Sequence, residues 1–109
     1  MCFRRKKASE KVEDNRELIS SNSRSMESLV VLARDDEELK KKFRQLEEKI
    51  KYLTPSTNGK VLDCDKKIKN LIEDLRIVLV KADGEPMPPK GENLLRQIEL
   101  MIADRNAKL

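Results

Sequence analysis

The chain has 109 residues, 40% of them charged and 3% aromatic, with two Cys, three Gly, four Pro and neither His nor Trp. That length holds one small domain or a domain with a tail; the lack of His excludes imidazole general-base and triad chemistry, and two Cys cannot build a multi-disulfide framework. The net charge of +4 sits in Arg4, Arg5, Lys6 and Lys7, because the remainder balances 20 bases against 20 acids, and no element carries the basic stripe of a nucleic-acid-binding domain.

Residues 1–25 read as a polar, flexible tail with a basic start. Phe3 beside Arg4, Arg5, Lys6 and Lys7 is the one segment suited to touch anionic lipid or nucleic-acid phosphate. No apolar stretch follows it, as a secretory signal requires, and residue 2 is Cys where myristoylation needs Gly. A cytoplasmic location with Cys2 and Cys64 both as free thiols is expected. Val12, Leu18 and Ile19 suit one side of a marginal helix over residues 9–19. Alone, a helix that short is barely stable in water.

From Met26 the pattern changes. Leu29, Leu32, Asp36, Leu39, Phe43, Leu46, Ile50 and Leu53 are spaced 3-4-3-4-3-4-3, a heptad seam with Asp36 as its misfit. The spacing predicts one helix over about residues 25–53, N-capped by Ser25 and ended by Pro55. Thr54 to Gly59 is turn chemistry of a length that suits an antiparallel helical hairpin. Val61, Cys64, Ile68, Leu71, Leu75, Val78 and Ala82 then repeat the seam, widened by Ile72 and Leu79, and predict a second helix over 60–82. The run Ile77 to Val80, β-branched at three of its four positions, would suit a buried strand on its own; the heptads upstream favour helix. Asp83 to Gly91 holds three prolines and two glycines and reads as a loop, with Gly84 capping the second helix. A third helix is predicted over 92–107, with Leu94, Leu95, Ile98, Met101 and Ile102 on one side.

Two clusters invite a chemical reading. Asp35-Asp36-Glu37-Glu38 resembles the acidic motifs of the helical metal-dependent pyrophosphatases, which hold Mg²⁺ between neighbouring helices. Such a site needs a second converging acidic set, and Glu47-Glu48 and Glu73-Asp74 do not match it. The four acids are read instead as a solvated helix start, with Asp35 as N-cap and Glu38 completing a capping box, and Asp36 as a kink. Cys64, between Asp63 and Asp65 on the apolar seam, is read as a small buried hydrophobe. No catalytic, cofactor-binding or metal-ligating residue is identified, and no cofactor is expected.

The expected fold is all-α: a small three-helix antiparallel bundle over 26–109, with a coiled-coil-like hairpin and a flexible basic N-terminal tail. The expected function is a non-enzymatic helical protein–protein interaction module, with another protein or a second copy of itself (a homodimer) as partner. The alternative is a peripheral binder of anionic membrane or nucleic acid through residues 1–7. A small metal-dependent all-α enzyme comes third.

Overall fold

The heptad seam breaks at its misfit. Asp36 lies between two helices, α1 (Ala8–Leu32) and α2 (Glu37–Lys51), in a computed structural model that describes the backbone of residues 8–109 and the side chains from residue 12 onward. The Ala33 amide donates to Leu29 O at 3.1 Å, and Arg34 turns left-handed at φ 51° to end α1. The Asp36 carboxylate then accepts from the Leu39 amide at 3.1 Å, satisfying one of the donors that a new helix start leaves unpaired. The expected single helix over 25–53 is therefore two, and the cap is Asp36, not Asp35. With α3 (Gly59–Ala82) and α4 (Pro89–Ala107), the described residues form four helices where three were expected.

The second correction concerns the tail. From Ala8 onward, the residues expected to be tail belong to α1. Their core face is Asn15, Ile19, Asn22, Met26, Leu29 and Ala33, all buried and spaced 4-3-4-3-4. Docking on neighbours supplies the stability that a lone helix of 9–19 would lack. Leu32, placed on the seam by the sequence pattern, is only partly buried because the stripe runs through Leu29 and Ala33 instead.

Beyond the break the periodicity holds. Leu39, Phe43, Leu46 and Ile50 are the buried face of α2. In α3 the burial follows Val61, Cys64, Ile68, Ile72, Leu75, Val78 and Leu79, with Leu71 half-buried at the margin. The Ile77 to Val80 run is helical, with Ile77 and Val80 outside and Val78 and Leu79 inside. Pro89 starts α4 earlier than the expected residue 92, as suits a residue that lacks the amide a first turn cannot pair. Gly91 is buried there, and a Cβ on it would lie 2.4 Å from Met87 Cγ and 3.3 Å from Val78 Cγ1, so its smallness lets α4 close on α3.

The packing is a ring. α1 lies against α2 and α3, α3 against α4, and α4 meets α2 along a narrower strip, while α2 and α3 do not approach each other. Contacts at Asn15–Asp65, Ser28–Arg76 and Arg34–Asp83 rise together in both chain segments, so α1 and α3 run parallel. The hairpins are α1 with α2 and α3 with α4. The segment 52–58 between α2 and α3 thus crosses a diagonal, in place of the hairpin turn its length suggested. No described helix is long and apolar enough to cross a membrane.

Candidate functional site

Beneath that diagonal crossing lies a buried polar network. Asp65 from α3 and Arg105 from α4 form an ion pair, Nε to Oδ1 at 2.7 Å, with side chains 1% and 0% exposed. Asn15 from α1 donates through Nδ2 to Asp65 Oδ2 at 2.7 Å, and its Oδ1 accepts from the Ser56 amide at 2.9 Å. Arg105 Nη2 donates to Thr54 O at 2.8 Å and to Asn15 Oδ1 at 3.3 Å. One turn-pair up α1, Asn22 Nδ2 donates to Asp65 O at 3.1 Å. Three helices and the crossing segment are thereby tied at one point. Among the described residues, Asn22 Oδ1 and Arg105 Nη1 are buried without a hydrogen-bond partner.

Chemically, this arrangement holds position. The guanidinium and the carboxylate face each other away from solvent, and Asn15 and Thr54 O hold them there through hydrogen bonds. What they provide is register, since an α3 or α4 slipped by one residue would bury either charge alone.

Each member carried a signal in the sequence. Arg105 continues the 94-98-101/102 spacing of α4, and Asp65 occupies the heptad position later filled by Ile72 and Leu79. Asn22 and Asn15 stand seven and fourteen residues before Leu29. Polarity at these seam positions made them look exposed.

At the same end, Cys64 is buried and free, as its seam position predicts. Its Sγ lies 3.9 Å from Asp104 Oδ2, and Asp104 pairs with Lys108 Nζ at 2.7 Å. The hydrogen bond from Lys108 holds the Asp104 carboxyl below its ordinary range, and the same contact raises the Lys108 ammonium above its own. At the opposite end, Arg34 donates to Asp83 O at 3.2 Å and pairs with the Asp83 carboxylate. Asp83 caps α3 with φ 46°, its amide donating to Leu79 O, and Gly84 follows at φ 88°, so the cap falls one residue before the expected Gly84.

The outward side of α3 is different. Ile77 and Val80 are 52% and 58% exposed and stand one turn apart on the same face. Beside them Ile77, Val78, Ala82, Pro86 and Pro88 line an apolar cleft of about 640 Å³, rimmed by Asp74, Lys81, Glu85 and Lys90.

Of the expected sites, Phe3, Arg4, Arg5, Lys6 and Lys7 lie outside the described residues, as does Cys2. The acids 35–38 surround the α1–α2 break, where Asp36 serves α2. Among the described residues no three Cys, Asp or Glu side chains converge as a metal site would require. No protein-family model, curated protein or solved structure matches the chain.

Proposed function

We propose that the chain is a non-enzymatic helical interaction module of the cytoplasm, which binds another protein or a second copy of itself through the coiled-coil-like outer face of α3. The observation that carries this reading is the pairing of Ile77 and Val80 with the adjacent cleft. Single exposed apolar residues are ordinary on a protein surface, whereas a contiguous apolar strip rimmed by charge suits a docking site. A helical face with anchors one turn apart accepts an amphipathic helix from a partner, whose apolar side chains enter the cleft while the rim charges set its register. Internal polar groups contribute differently. Asn15, Asp65 and Arg105 hydrogen-bond one another and hold the presenting helix in place.

The test uses the tagged full chain and its Ile77→Asp and Val80→Asp variants to capture proteins from the native cell. Both positions face solvent, so thermal melts of the variants should match the parent within the small range usual for surface sites. A specifically captured protein, lost with either variant, supports the reading. Capture that ignores both substitutions overturns it.

A further inference from the structure

We infer that the α3 face pairs with the same face of a second copy of the chain, antiparallel about a two-fold axis near Ile77. This rests on the interaction-module reading and names its partner. The argument is one of charge order. Glu73 and Asp74 precede Ile77 by four and three residues, and Val80 and Lys81 follow it by three and four. All five are exposed, while Arg76 reaches inward to Ser28 Oγ at 2.6 Å and keeps its Nε 3.9 Å from Glu73 Oε2. Reversing one copy about Ile77 sets Lys81 of each copy opposite the Glu73–Asp74 pair of the other, with Ile77 and Val80 between them.

A two-fold contact requires this self-complementarity, in which each pair occurs twice. Parallel pairing would set acid on acid and lysine on lysine. A partner of a single charge sign would match only half of the strip. The apolar centre is short, so the contact belongs at the weak end of specific interfaces.

Sedimentation equilibrium of the purified full chain tests the pairing. The weight-average mass should rise from 12.6 kDa toward about twice that value with concentration, and the rise should weaken with salt because exposed charges are screened. Lys81→Glu sets acid against acid at both ends, and should weaken association by at least about tenfold, the equivalent of roughly 1.4 kcal/mol. Glu73→Lys with Asp74→Lys should do the same by setting base against base. An equimolar mixture of the two variants should recover the dimer, since every pair is then again opposite in sign. Circular-dichroism melts of the variants, alike at exposed sites, separate lost pairing from lost folding.

A chain that remains monomeric to about 1 mM, the weak end of measurable affinity, overturns the inference. So does a dimer indifferent to both charge reversals, or variants that fail to recover on mixing. If the pure chain is monomeric yet captures a different protein through Ile77, self-pairing fails and the interaction module stands. If it does neither, both fail.

Discussion

At the scale of single residues, the Asp65–Arg105 pair has the most leverage on the fold. Two charges removed from water lose hydration that their mutual attraction returns only when the remaining hydrogen-bonding groups are also paired. Asn15, Thr54 and Ser56 complete most of that pairing, though Arg105 Nη1 stays unpaired. Arg105→Met alone leaves Asp65 as a lone buried carboxylate, and should destabilise the fold by about 3–5 kcal/mol in a urea melt. Replacing the set together, with Asn15→Leu, Asp65→Leu and Arg105→Met, should be neutral or stabilising by about 1–4 kcal/mol, because no charge is then stranded. The single variant melting as the parent does would show the pair to be solvated rather than buried. If the network also fixes the diagonal crossing, the triple variant should gain stability while its amide spectrum broadens, because an apolar core accepts several registers that a paired charge rejects.

At the scale of elements, the break between α1 and α2 depends on local chemistry. Asp36 caps α2, Glu37 and Glu38 place negative charge in its first turn, and Lys49 and Lys51 place positive charge in its last, all in the sense the helix dipole favours. Asp36→Ala should cost about 1 kcal/mol, the usual loss for a cap. Gly84→Ala should cost more than Gly59→Ala. Gly84 has φ +88° and its added Cβ would meet Arg34 Nη1 at 2.6 Å, whereas Gly59 has nothing within 4 Å. Thermal melts of the three variants give the ranking, and Gly84→Ala as mild as Gly59→Ala would refute the Arg34–Asp83 closure. These elements also show what the sequence makes legible. The buried faces of α2 and α3 follow from spacing alone, since Leu39, Phe43, Leu46 and Ile50, or Val61, Cys64 and Ile68, are apolar at the right interval. α1 escapes that reading because Asn15 and Asn22 sit where a seam is ordinarily apolar, and their partner Asp65 lies fifty and forty-three residues away. The diagonal course of 52–58 escapes it for the same reason. Turn length fixes how far the chain can reach, and only long-range packing fixes which neighbour it reaches.

At the scale of the whole molecule, charge is segregated along the chain. All of the net +4 resides in residues 4–7, ahead of a remainder that is neutral on balance. Any affinity for an anionic membrane or for nucleic acid should therefore depend on Arg4, Arg5, Lys6 and Lys7, with Phe3 beside them. Each base near an anionic bilayer contributes about 1 kcal/mol, so four give roughly 4 kcal/mol. That sustains only weak, reversible attachment without a second anchor. On duplex DNA, four phosphate contacts imply a slope of log K against log salt near about −3.6, so binding should fade before physiological ionic strength. Replacing the four bases by Gln should abolish co-sedimentation with anionic vesicles and with DNA at low salt. The thermal melt should not change, because among the described residues burial begins at Asn15. Binding that survives the replacement would move the site to Lys66, Lys67 and Lys69, exposed on α3. Those lysines flank the Glu73–Lys81 strip, so binding there should compete with pairing of two copies. Adding vesicles or DNA to the four-Gln protein would then lower its self-association, and an unchanged dimer fraction would keep anion binding and self-pairing on separate surfaces.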